Sequence, residues 1–99
     1  MRKRLEPAER KQQIMTAALN LARKHGYMII TREAVAEEAG VSAGLVSLYW
    51  GTMIKFRKSI MREAVRTECM PVIAQGLVNG DPIARRAPDD VVSLAIASI

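Results

Sequence analysis

The stretch Thr31-Arg32-Glu33-Ala34-Val35-Ala36-Glu37-Glu38-Ala39-Gly40-Val41-Ser42-Ala43-Gly44-Leu45-Val46-Ser47-Leu48-Tyr49-Trp50 decides the fold. Thr31 offers a hydroxyl to cap a helix about two turns long, whose apolar side is Ala34, Val35, Ala36 and Ala39. Gly40 tolerates positive φ, which a helix end commonly requires. Val41 is apolar, Ser42 offers a second cap, and a third short helix carries Val46, Tyr49 and Trp50 inward. Two short helices joined through Ala39, Gly40 and Val41 form a helix-turn-helix pattern, with Val41 packed between them.

Upstream, Ile14, Ala17, Ala18, Leu21 and Ala22 recur at i, i+3, i+4, i+7 and i+8, which predicts an amphipathic helix from Pro7 to Lys24 that ends before Gly26. Tyr27 to Ile30 is too short to pair as a strand, so its side chains are expected to plug the core. Downstream, Thr52 caps a predicted fourth helix from about Met53 to Thr67. Phe56, Ile60 and Ala64 form one stripe of that helix, and Ile54, Met61 and Val65 form a second that needs another partner. Pro71 is expected to kink or stop it, and Gly76, Asn79, Gly80, Asp81 and Pro82 to mark a turn or loop. Pro88, Asp89 and Asp90 then open a last apolar helical segment, Val91 to Ile99.

Ninety-nine residues allow one small core. The chain is 49% hydrophobic and 25% charged, the balance of a folded protein, and its 4% aromatic content favours an all-α core of Ala, Leu, Ile, Val and Met. Residues 1–66 hold 13 Lys and Arg against 6 Asp and Glu, a net of +7, whereas residues 67–99 hold 2 against 4, a net of −2. That division suits a polyanion-binding head, 1–66, joined to a short helical association region, 67–99. A single Cys69 excludes an intramolecular disulfide, and a lone His25 without a Cys/His cluster leaves no ordinary zinc site. No signal-peptide core and no membrane-length apolar run is present, so an intracellular, cytoplasmic protein is expected. Nothing pairs an acid with a base or a nucleophile with a histidine, and no phosphate loop occurs, so neither an enzyme nor a cofactor is expected.

The run from Ile14 to Phe56 resembles the N-terminal DNA-binding domain of the TetR family. The resemblance rests on His25-Gly26-Tyr27, Thr31-Arg32-Glu33-Ala34-Val35-Ala36, Ala39-Gly40-Val41-Ser42-Ala43-Gly44 and Tyr49-Trp50 before a fourth helix. Family members are usually about twice as long, so the large C-terminal ligand domain is expected to be lacking, and no small-molecule effector is expected. The resemblance implies that the third helix lies in the major groove of double-stranded DNA. Ala43, Gly44, Leu45, Ser47 and Leu48 then face the bases through thymine-methyl contacts, one hydroxyl and close backbone approach. Arg32 is the candidate for a bidentate guanine contact or a phosphate clamp. Thr31, Ser42 and Thr52, which also cap helices, are candidate phosphate contacts with Lys55 and Lys58, and Arg2, Lys3 and Arg4 form an N-terminal arm for the backbone or minor groove. Ser47 stands where many members have a phosphate-contacting Tyr, and Met53 where they have a Lys, departures that imply either a shifted docking or contacts moved to the N-terminal arm.

Together these readings imply a transcription regulator, a repressor that binds a palindromic operator as a homodimer, because one helix-turn-helix buries too little surface for tight selective binding. The dimer contact is expected at Met61, Val65, Val72, Val91, Leu94 and Ile96. The rival reading is a small helical interaction protein, an adaptor or antitoxin whose apolar C-terminal segment binds a protein partner.

Overall fold

A computed structural model describes residues 6–99. All regular structure among the described residues is helical: α1 (Pro7–His25), α2 (Arg32–Ala39), α3 (Ala43–Trp50), α4 (Met53–Arg66), α5 (Met70–Asn79), α6 (Pro82–Arg85) and α7 (Asp89–Ala97). The helix boundaries through α4 follow the chemistry of their caps. The Thr31 hydroxyl oxygen accepts from the Ala34 N–H at 3.1 Å, Ser42 from Leu45 at 3.2 Å, and Thr52 from Lys55 at 3.2 Å. Each of these bonds satisfies one of the amide donors left over at a helix start. Gly40 closes α2 in the left-handed region (φ 72°, ψ 33°), and the next amide, Val41 N–H, donates back to the Ala36 carbonyl at 2.9 Å.

Between α1 and α2 only the two ends of the connector enter the core. Tyr27 and Ile30 are buried, whereas Met28 and Ile29 are 49% and 71% exposed, so the expected four-residue plug is a two-residue one. The segment turns over Tyr27 to Ile29, and a turning backbone cannot aim four successive side chains at one side.

After α4 the structure departs further from expectation. The helix ends before Pro71 is reached. Glu68 takes φ 54°, and the Cys69 N–H bonds the Ala64 carbonyl at 2.8 Å while the Glu68 N–H bonds Val65 at 3.2 Å, the paired closure of a left-handed helix end. Pro71 lies in the first turn of α5, where its missing N–H costs nothing. Gly76 is not part of a loop: it is a buried residue within α5, and the turn is confined to Gly80 and Asp81. Gly76 is tolerated in the helix because a Cβ there would come within 2.6 Å of Met61 Cε and 2.7 Å of Ala84 Cβ. Close approach of α5 to α4 and α6 therefore requires a residue without a side chain.

One continuous core results. Phe56, Ile14, Ile60, Met61, Ile73, Val35, Val46 and Val72 are its largest fully buried side chains, drawn from α1 through α5, and each contributes about 1.5–3 kcal/mol by leaving water. Residues 67–99 are thus packed onto the head. Three hydrogen bonds add to that attachment: the Tyr27 N–H donates to Gln75 Oε1 at 2.9 Å, Gln75 Nε2 to the Ala22 carbonyl at 2.8 Å, and the Tyr27 hydroxyl to Asp81 Oδ2 at 2.9 Å. Burial, reinforced by the hydrogen bond to Asp81 and that residue's charge, pushes the Tyr27 phenol up to about 12. At the other end, Glu63 accepts from Arg66 at 2.8 and 2.7 Å and from Gln12 at 3.1 Å, so its carboxyl lies below the usual range, chiefly through the Arg66 bonds.

Candidate nucleic-acid interface

At about 100° per residue, Val46 points α3 into the core, and Gly44 and Leu48 fall on the opposite side. Val46 is 1% exposed and Leu48 77%, with Gly44 exposed beside it. Leu45, Ser47 and Ala43 are half-buried along the two flanks. The expected base-facing set therefore divides into a bare stripe and covered flanks. A Leu exposed to that degree on a helix otherwise docked by Val46, Tyr49 and Trp50 leaves apolar surface unspent in the protomer.

Three helix starts, at Thr31, Ser42 and Thr52, carry the hydroxyls expected to meet phosphate. Thr31 and Thr52 are exposed, and so is Ser42. Each hydroxyl oxygen uses a lone pair to cap its own helix, which leaves its O–H free to donate to an anion. Gly51 links α3 to α4 with φ 76° and ψ −116°, a conformation suited to Gly. Two basic side chains approach this turn. Arg32 Nη2 donates to the Gly51 carbonyl over a long 3.5 Å, and the Lys55 stem lies 3.8 Å from where a Gly51 Cβ would be. Arg32 is half-buried and its Nε is covered without a hydrogen-bond partner, so its guanidinium is braced against the turn while retaining donors for a ligand. Lys58, one turn further along α4, is exposed. Glu33, Glu37 and Glu38 are exposed on α2, so an anionic ligand is favoured at the Thr31 end of that helix and opposed along its remainder. Arg2, Lys3 and Arg4 lie outside the described residues.

Sequence reasoning missed Lys11. Its Nζ lies 5.2 Å from the centre of the Tyr49 ring. Tyr49 in turn meets Trp50 edge to face at 5.8 Å, and Trp50 packs on Phe56 at 4.9 Å. No local pattern signals a contact between residues 38 positions apart.

The residues expected at a dimer contact separate by burial. Met61 and Val72 are 0% exposed and Val91 is 5% exposed, all within the protomer, so that part of the expectation is corrected: α5 and α6 pack on α4 from within the same chain and cover Met61, whereas Ile54 of the same stripe stays 66% exposed. Val65 is half-buried, and Leu94 and Ile96 remain 55% and 57% exposed. A second apolar region, unforeseen, gathers Met28, Ile29, Val78 and Ile99 around one groove beside α5.

Among the described residues no group of three or more His, Cys, Asp or Glu is placed to hold a metal, and no helix is long and apolar enough to cross a membrane. No curated protein and no solved structure matches the chain. Residues 14–56, from the first buried residue of α1 to the aromatic at the start of α4, match the family model described as bacterial regulatory proteins, tetR family. That match supports a TetR-family N-terminal helix-turn-helix domain, the kind found in DNA-binding transcription regulators, over residues 14–56.

Proposed function

We propose that this protein is a sequence-specific double-stranded DNA-binding regulator, a repressor that occupies a palindromic operator as a homodimer in the cytoplasm, with no small-molecule effector. The observation that carries this reading is the uncovered Gly44–Leu48 stripe of α3, on a helix that ends at Gly51, where Arg32 reaches the carbonyl and the Lys55 stem lies close by. A helix of this diameter fills a major groove about 12 Å wide. With Gly44 against the groove floor, the backbone approaches the base edges, Leu48 meets thymine methyls, and Ser47 supplies one hydroxyl contact from the flank. The exposed Thr31 and Thr52 hydroxyls, Ser42, Lys55 and Lys58 take phosphates and set the register, while Arg32 reaches either a guanine edge or the backbone.

So apolar a readout discriminates weakly per half-site. Two copies related by a twofold double the contacts and place the recognition helices about 34 Å apart, one turn of duplex. The exposed Leu94 and Ile96 are the remaining members of the expected contact available to a second copy. Selection of duplexes from a random pool, followed by footprinting, tests the reading. A recovered site with dyad symmetry and two chains per site is expected. Failure to enrich any duplex, or equal one-chain binding to a full site and a half-site, overturns it.

A further inference from the structure

Among the described residues, the basic side chains so far assigned to the duplex all belong to the α2 start or to α4, and α3 itself contains no charged side chain. On α3, at about 100° per residue, Leu45 and Tyr49 lie together on one flank of the Gly44–Leu48 stripe. Beside that flank stands Lys11 of α1, with its ammonium 5.2 Å from the Tyr49 ring centre, within the reach of a cation–π contact. Tyr49 meets the Trp50 ring, and Trp50 packs on Phe56, which is 1% exposed, so the platform under the ammonium is linked to the core. The first turns of α1 are also fixed against the helix-turn-helix: Gln13 Nε2 donates to the Ala39 carbonyl, at the end of α2, at 3.2 Å.

Resting on the DNA-binding reading above, we propose that Lys11 is a backbone-phosphate contact and that Tyr49 is the positioning residue that holds it at the rim of the groove. A helix that fills the major groove brings its flanks to the phosphate walls on either side. A cation kept beside such a flank by an aromatic face has lost part of its side-chain freedom before the duplex arrives, so less ordering is needed on binding. Lys11 is exposed and makes no ion pair among the described residues, which leaves all three ammonium donors for a phosphate oxygen.

The test uses the full chain and a duplex selected from a random pool, with the dissociation constant measured at several potassium chloride concentrations. Each phosphate contact contributes about 0.9 to the slope of log K against log salt. Lys11→Met, which keeps an apolar stem and removes the charge, is expected to lower the slope by about 0.9 per chain, about 1.8 for the two chains on one site, and Lys11→Arg to restore it. Tyr49→Phe keeps the ring and is expected to behave as the unsubstituted chain. Tyr49→Leu is expected to weaken binding, with little further loss when Lys11→Met is added, since the two act through one contact. Thermal melts of each variant identify any loss of fold, and Lys11→Met and Lys11→Arg, which alter an exposed side chain, decide the matter whatever Tyr49→Leu does to folding. If the unsubstituted chain binds with a steep salt slope and Lys11→Met leaves that slope unchanged, the phosphate contact is refuted while the regulator reading stands. If the unsubstituted chain binds no duplex, both fall.

Discussion

Replacing Tyr27 by Phe removes a hydroxyl and nothing else, and the structure sets the size of the loss. The phenol donates to Asp81 Oδ2 at 2.9 Å, bridging the end of the first helix and the turn before α6, and the Tyr27 side chain is 2% exposed. A hydrogen bond to a charged acceptor is worth about 1.5–3 kcal/mol. Asp81 is only half-buried and its other oxygen still caps α6 through Ile83 and Ala84, so water recovers part of the loss. The expected cost at neutral pH is therefore about 1.5 kcal/mol. The pH dependence is more diagnostic. Tyr27 has its folded-state pKa raised from 10.0 to about 12, so its protonated form is favoured by folding. Its contribution is complete below about pH 10. It fades between about 10 and 12, where the unfolded chain has ionised and the folded one has not; two units at roughly 1.4 kcal/mol per unit set an upper bound of about 2.8 kcal/mol, enough to close a gap of about 1.5 kcal/mol. Urea unfolding of both chains from pH 7 to 12 is the assay, and their difference cancels the lysines that titrate in the same window. The stability gap is expected to close as pH rises through that range. A gap that stays constant, or no gap at pH 7, refutes the role assigned to this hydroxyl.

Three other outcomes are expected. Gly76→Ala gains about 1 kcal/mol of helix propensity but meets Ala84 Cβ at 2.7 Å, which is fixed to backbone and cannot yield as Met61 Cε can; overpacking costs about 1–3 kcal/mol, so a net loss of about 1 kcal/mol, or about 4–8 °C in Tm, should appear by calorimetry. Leu48→Ala alters a side chain that is 77% exposed, so stability should move by less than about 0.5 kcal/mol while affinity falls most for selected sites with thymine under that position; a uniform fall across sites counts against base contact. Arg32→Ala should cost about 1–3 kcal/mol of binding, confined to one base pair if the guanidinium reads guanine and spread over all sequences if it holds phosphate, as competition against single-base variants will distinguish.

Local chemistry made the first four helices legible. Thr31, Ser42 and Thr52 each cap the helix that sequence assigned to them, because an N-cap bond spans three residues and requires no distant partner. The same locality explains the errors beyond α4. Pro and Gly are strong punctuation only when nothing distant competes: Pro71 opens a helix because α4 has already closed at Glu68, and Gly76 continues one because α5 must come close to Met61 and Ala84. The residues of the helix-turn-helix were visible as a set, yet their division was not. The family resemblance grouped Ala43, Leu45 and Ser47 with Gly44 and Leu48, and only the packing of neighbouring helices shows the first three half covered.

By itself the sequence determined the helical class, the caps, the turn through Gly40 and the basic front of the chain, since these depend on residue type and on spacings of a few positions. Tertiary structure alone decided that Met61 and Val72 belong to the chain's own core, that Tyr27 reaches Asp81, and that Lys11 stands over Tyr49. Each of the two side-chain contacts joins positions tens of residues apart. Their formation depends on how whole helices pack, and no periodicity within a single helix encodes that.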